Sequence, residues 1–166
     1  MDTPAEEHVY HLSDSHPKAI VVYCSDNRFQ NAFREFIANE LHLAEGEYIP
    51  MVLSGGVASL SEPLRLPKEF KYVKERVEFF LERFTTVRRI VLINHEDCRH
   101  YEALKSSLGS VFLQHVSHMS ERQTKDLAAA AKALLALGAP GLQIDLYYAR
   151  IVKNGAATVQ FEKITP

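Results

Sequence analysis

Two short apolar runs limit what this chain can fold into more than any other feature of the sequence. Residues 18–24 (KAIVVYC) and 88–94 (RRIVLIN) are rich in β-branched side chains and show no alternation of apolar and polar positions. A strand that buries both of its faces has this pattern, and such strands lie in the middle of parallel sheets that are covered by helices. The two runs therefore predict the central strands of an α/β fold.

The other segments alternate between helical and strand patterns. Apolar residues recur at helical spacing over residues 29–43, 68–84, 101–108 and 121–137, whereas residues 48–53, 142–152 and 156–164 have strand character. Asn154-Gly155 favours a tight hairpin turn between the last two strands. We expect a mostly parallel β-sheet flanked by helices, with an antiparallel C-terminal edge hairpin. The 166 residues suit a single domain, in which residues 1–17 form an N-terminal extension.

Composition excludes several classes of partner. The chain has 19 Lys and Arg against 21 Asp and Glu, so a net charge of −2 gives no field that would favour nucleic acid or an anionic membrane. No apolar run approaches the roughly 18 residues that a membrane-spanning helix needs. The acidic, polar start does not resemble a secretory signal, and two cysteines are too few for a disulfide framework. We expect a cytoplasmic protein with reduced thiols.

Polar, metal-binding residue types follow both buried strands directly. Cys24 ends the first strand, and His95 and Cys98 follow the second in the segment HEDC. Because ligands of α/β sheets bind at the carboxyl ends of the strands, these three side chains are expected to meet there. Two thiolates and one imidazole are donors that zinc prefers, and a catalytic zinc site has three protein ligands. The alternative is that each cysteine is a small buried hydrophobe.

Asp26 and Arg28 lie two and four residues after Cys24. One interpretation is that Asp26 faces the metal while the Arg28 guanidinium holds its carboxylate in a bidentate grip. The other is that Asp26 or Asn27 caps the following helix and that Arg28 forms a surface ion pair. The spacing alone fits both interpretations.

The segments CSDNR and HEDC, each directly after a buried strand, resemble the Cys-x-Asp-x-Arg and His-x-x-Cys motifs of the β-class carbonic anhydrases. This resemblance implies a Zn²⁺ ion bound by Cys24, His95 and Cys98. It also implies that Asp26 either hydrogen-bonds the zinc-bound water or becomes the fourth ligand when Arg28 releases it. The expected reaction is the reversible hydration of CO₂ to bicarbonate by a zinc-bound hydroxide, in a homodimer or a higher homo-oligomer.

The chain departs from that family's pattern near the site. Arg99 replaces the glycine that usually follows the last cysteine ligand, and Leu53-Ser54-Gly55-Gly56 replaces Arg-Asn-Ala-Gly after the second strand. We treat Ser54, Gly55, Gly56 and Arg99 as candidate substrate-binding residues, and His100 as a candidate for proton transfer. Residues 61–70 (SEPLRLPKEF) are interpreted as an insertion.

These departures leave two alternative functions open. One is a zinc hydrolase that acts on another small linear substrate, carbonyl sulfide or carbon disulfide. The other is a non-catalytic zinc-binding protein in which Asp26 closes the fourth position permanently.

Overall fold

The structure, a computed structural model, describes residues 9–112 and 117–165, so the first eight residues of the predicted N-terminal extension lie outside it. Strands and helices alternate along the chain in the predicted order. They are β1 (Ala19–Cys24), α1 (Gln30–Asn39), β2 (Tyr48–Leu53), α2 (Ala58–Ser61), α3 (Pro67–Arg83), β3 (Arg89–His95), α4 (Arg99–Leu108), α5 (Met119–Leu135), β4 (Gln143–Asn154) and β5 (Ala156–Ile164).

Within the described residues, five strands form one sheet in the order β2-β1-β3-β4-β5. The first four strands are parallel to one another, and β5 runs antiparallel to β4 at the edge. The predicted fold class is therefore confirmed, including the terminal hairpin. Gly155 is the one residue between the strands of that hairpin, since Asn154 pairs with Ala156.

The central residues of β1 and β3 are apolar because the sheet is covered on both faces. Ile20 and Val22 of β1 pack into a core formed with α2, α3 and α5. Their neighbours Val21 and Tyr23 point to the opposite face and pack against α1. Every residue of β1 and every residue of β3 after Arg89 is buried, which is the physical origin of the pattern that predicted these strands.

Two helices differ from the sequence prediction. Helix α1 ends at Asn39 rather than near residue 43, because the chain turns at His42, whose φ is +55°. Leu41 and Leu43 are still buried beyond the helix end, so their apolar character does not mark helix. Helix α2 has only four residues, and its last residue, Ser61, is the first of the segment interpreted as an insertion, which runs into the start of α3.

No helix in the described ranges is both long enough and apolar enough to cross a bilayer.

Candidate metal centre

The strand order brings the two predicted motifs together. Cys24 is the last residue of β1 and His95 is the last residue of β3, and these two parallel strands are neighbours in the sheet. The connection from β1 leads outward to β2, whereas β3 lies on the other side of β1, so the winding of the sheet reverses between them. A crevice opens at such a point in α/β sheets. Cys98 joins it from the turn before α4.

Cys24, His95 and Cys98 form a compact and buried cluster. Their ligand atoms all lie within 4.8 Å of one another, and the Sγ atoms of the two cysteines are 3.8 Å apart. Each of the three residues is at most 4% exposed. The cluster could therefore hold a metal ion, as the sequence predicted.

The imidazole of His95 is oriented for such a role. Its Nδ1 lies 2.8 Å from the carbonyl oxygen of Glu96. Since a carbonyl only accepts hydrogen bonds, Nδ1 carries a proton, and in the neutral imidazole the free lone pair is then on Nε2. Among the described residues, His95 Nε2 is the one buried side-chain nitrogen or oxygen atom without a hydrogen-bond partner. Buried polar atoms normally have partners, and a metal ion would satisfy this one.

The pKa values of the two thiols are shifted in opposite directions. The hydrogen bond with Cys98 lowers the pKa of Cys24 strongly, helped by His95 and by the backbone N–H of Asp26, against the opposing effect of burial. The same thiol contact and burial raise the pKa of Cys98, although the backbone N–H groups of Tyr101 and His100 oppose this. The pair thus releases one proton readily and holds the other. A bound cation would displace both protons.

Arg28 joins the two motifs through a network of ion pairs. Its Nε and Nη2 donate to Oδ1 and Oδ2 of Asp26 at 3.1 and 2.7 Å, and its backbone N–H donates to Oδ1 at 3.0 Å. Nη1 and Nη2 also donate to the carboxylate and the backbone oxygen of Asp97, each at 2.8 Å. The hydrogen bonds from Arg28 hold the pKa of Asp26 below its ordinary value, although burial opposes them.

Asp26 therefore binds Arg28 rather than capping α1, which has no side-chain cap at all. This contact is the bidentate grip of the first interpretation, and the orientation of Asp26 toward a metal stays a prediction. The Asp26 side chain is 8% exposed and the Arg28 side chain 38%, so the carboxylate is the more buried half of the ion pair.

A cavity of about 200 Å³ opens beside the cluster. Its walls include the two cysteines, and the predicted residues Asp26, Ser54, Arg99 and His100 also line it, together with Ser25 and Asn27. Ser54 Oγ lies 3.0 Å from Nδ1 of His100. Burial lowers the pKa of His100.

Gly55 and Gly56 do not line this cavity; they lie in the turn after β2. A Cβ atom on Gly55 would lie 2.3 Å from Cδ2 of His100, and one on Gly56 would lie 2.6 Å from Oδ1 of Asn94. Both glycines are buried. They allow the turn after β2 to pass close beneath the site, so their contribution is close packing of the backbone.

Several residues that support the site carry no signal in the sequence. Gln30 donates from Nε2 to the carbonyl oxygens of Cys24 and Asp26 at 2.9 and 2.8 Å, which fastens the loop after β1. Gln123 donates to the carbonyl oxygen of His95. Asp97, although it lies inside a recognised motif, was not predicted to bind Arg28. The contacts of Gln123 and Asp97 join residues 28 and 69 positions apart in the chain, and neither periodicity nor motif spacing reports any of these contacts.

No protein-family model and no curated protein matches this sequence. Solved structures do match its fold. A β-carbonic anhydrase from Trichomonas vaginalis has a TM-score of 0.56 and 15% identity, with 92% of this chain and 87% of that chain covered. One of two tetrameric β-carbonic anhydrases from Sordaria macrospora has a TM-score of 0.52 and 14% identity, with 91% and 84% covered. The chain has the β-carbonic anhydrase fold.

A third match, a β-carbonic anhydrase from Aspergillus fumigatus, agrees with a TM-score of 0.51 and 19% identity over 88% of this chain and 76% of that chain. These matches thus cover between 88% and 92% of this chain. Identities this low establish the architecture, and the chemistry has to be argued from the side chains.

Proposed function

We propose that this chain is a zinc-dependent enzyme that hydrates CO₂ reversibly to bicarbonate. The observation that carries the proposal is the buried cluster of Cys24, His95 and Cys98, with an unpartnered Nε2, at the switch point of a β-carbonic anhydrase fold. Asp26 and Arg28 next to the cluster complete the two motifs that the sequence shares with that family.

The donor set suits zinc. Two thiolate sulfurs at about 2.3 Å from one tetrahedral zinc ion are roughly 3.8 Å apart, and this is the distance between the Sγ atoms of Cys24 and Cys98. His95 Nε2 supplies the third donor. Both thiols also line the cavity, so a fourth position faces open space rather than protein. A zinc ion held there would supply a Lewis acid that acidifies water at that open position.

The proposed role of Asp26 is to orient the water that attacks CO₂. Arg28 keeps the Asp26 carboxylate ionised. It occupies only part of the capacity of that carboxylate to accept hydrogen bonds, because each carboxylate oxygen has more than one lone pair. Asp26 can therefore accept a hydrogen bond from a water molecule in the cavity that it lines. Its three hydrogen bonds from Arg28 favour this arrangement over direct ligation of the metal.

Arg99 and Ser54 are proposed to act on the charged product. Arg99, an exposed residue that lines the cavity, would attract bicarbonate, and the Ser54 hydroxyl offers a polar contact in the same cavity. Gly55 and Gly56 would contribute by shaping the wall rather than by touching substrate.

A homo-oligomer is proposed on separate grounds. Strand β2 is an edge of the sheet, and Val52 on it is 44% exposed. Tyr72 and Phe79 of α3 and Leu64 before it are also large, apolar and exposed. Such a surface favours contact with a second copy of the chain, and light scattering would measure the resulting mass.

Stopped-flow measurement of CO₂ hydration between about pH 6.5 and 9 tests the proposed activity. We expect a rate that depends on zinc and rises with pH, because the attacking water must lose a proton. Zinc-depleted protein is the control. A zinc-loaded chain that is no faster than this control would contradict CO₂ hydration; assays with carbonyl sulfide and carbon disulfide would then separate a hydrolase from a non-catalytic zinc protein.

A further inference from the structure

A glutamine from a distant helix holds the backbone of the histidine ligand. Gln123 lies near the start of α5, and its side chain is completely buried. Its Nε2 donates to the carbonyl oxygen of His95 at 2.9 Å, and its Oε1 accepts from the Tyr148 hydroxyl at 2.8 Å. Both ends of the amide are therefore fixed, and the side chain has one orientation that satisfies both contacts.

The backbone of the same glutamine is bound by the residue before the ligand. Asn94 Nδ2 donates to the carbonyl oxygen of Gln123 at 3.1 Å and to the Tyr101 hydroxyl at 3.1 Å. Two consecutive residues of β3 are thus attached to one residue of α5. The end of the strand that carries the ligand cannot move without breaking hydrogen bonds in a fully buried layer.

His95 is consequently held on three sides. Gln123 binds its carbonyl oxygen, the Glu96 carbonyl binds Nδ1, and the Phe29 ring packs against the imidazole with a centroid distance of 4.2 Å. The backbone of His95 determines the position of its side chain, and the other two contacts determine the orientation of the imidazole ring. Only Nε2 is left without a partner.

We propose that Gln123 is a positioning residue: it fixes the backbone of His95 so that Nε2 points at the two thiols, and thereby slows the release of a bound metal ion. This inference rests on the proposed zinc site. It assigns to Gln123 a function that packing alone does not require, since an apolar side chain of similar size would fill the same space.

The test compares Gln123→Met with Asp126→Asn in full-length, zinc-loaded protein. Asp126 is also buried on α5 and hydrogen-bonded, but its partners Tyr101, Arg122 and Ser61 include no candidate metal ligand. Zinc release to a chromogenic chelator is expected to be about tenfold faster in Gln123→Met and nearly unchanged in Asp126→Asn. The visible absorption of the cobalt-substituted protein should change only in Gln123→Met, because it reports ligand geometry.

Thermal unfolding of the metal-free proteins separates positioning from stability. If Gln123→Met lowers the melting temperature but leaves zinc release and the cobalt spectrum as in the wild type, Gln123 is merely structural and the inference is wrong. Equal acceleration in both variants would overturn it as well.

Tyr148→Phe provides a milder variant that decides the question if Gln123→Met does not fold. It removes only the hydroxyl that orients the Gln123 amide, and zinc release should then be about two- to threefold faster. An unchanged release rate in this variant would count against the inference. Wild-type protein that holds zinc but does not hydrate CO₂ would overturn the proposed activity and leave the positioning role standing; protein that binds no zinc would overturn both.

Discussion

Each ligand atom of the candidate metal centre is oriented by contacts of a different kind. A carbonyl oxygen and an aromatic ring orient the His95 imidazole. The backbone N–H of Asp26 points at the Cys24 thiol, and N–H groups at the start of α4 point at Cys98. A helix N-terminus and nearby amides favour the thiolate form of cysteine. The protein thus orients all three donors and favours the thiolate form at Cys24.

Gly56 provides a test at the residue scale. Its φ is +58°, and a Cβ atom would lie 2.6 Å from Asn94 Oδ1 and 3.0 Å from the Ile93 carbonyl oxygen. We expect Gly56→Ala to lower the free energy of unfolding by about 3 kcal/mol, because backbone strain adds to the clash. Urea unfolding followed by circular dichroism would measure this loss.

Gly138→Ala is the matched control for that substitution. Gly138 also has a positive φ, +71°, but no atom lies within 4 Å of the position that its Cβ would take. Backbone strain alone should lower the free energy of unfolding by about 1 kcal/mol at this position. Equal losses in the two variants would show that the turn after β2 is not closely packed beneath the site.

The sequence predicted the three residues of the buried cluster, but not the residues that support them. Cys24, His95 and Cys98 were predicted because their motifs directly follow buried strands. Gln123 was not, because its partner lies 28 residues away and the contact depends on how α5 is rotated against β3. Local patterns determine which face of a helix is apolar, but not which polar group of another element it meets.

At the scale of elements, the two central strands were predictable because burial on both faces leaves a continuous apolar run. Helix α2 was not, because four residues are too few to display a period. The end of α1 was missed for a related reason: Leu41 and Leu43 continue the apolar pattern after the helix has stopped. Burial determines which positions are apolar, whereas backbone hydrogen bonding determines where the helix ends.

Asp145 ties the last three strands of the sheet together and gives a prediction at this scale. It lies on β4 and accepts from Arg89 on β3 and Lys163 on β5, at 2.7 and 2.8 Å. We expect Asp145→Asn to lower the free energy of unfolding by about 1 kcal/mol at pH 7. Glu75→Gln, which affects an exposed pair with Lys71 on α3, should cost less than about 0.5 kcal/mol.

The effect of Asp145→Asn should also depend on pH. Burial raises the pKa of Asp145, but Lys163 and Arg89 outweigh it, so the pKa in the folded protein lies below its ordinary value. The stabilisation is therefore present above the unfolded-state pKa of about 4 and is lost as the pH falls through the folded-state pKa. Urea unfolding of metal-free wild type and variant should converge in acid. A difference that stays constant down to low pH would contradict this assignment.

At the scale of the whole molecule, the strand order creates the site. The predicted alternation of strands and helices gave the class of the sheet, but not the order β2-β1-β3-β4-β5 that makes β1 and β3 neighbours. Connections in either direction suit the same local patterns, so the order depends on packing over the whole chain. Because β1 and β3 are neighbours, Arg28 joins the loop after β1 to Asp97 in the turn after β3.

The zinc content of protein purified without added metal tests the central claim most directly. Cys24, His95 and Cys98 surround one position, so elemental analysis by mass spectrometry should find about one zinc ion per chain. Cys98→Ser should lose most of that zinc. Wild-type protein with far less than one zinc per chain, or a Cys98→Ser variant with unchanged zinc, would contradict the account.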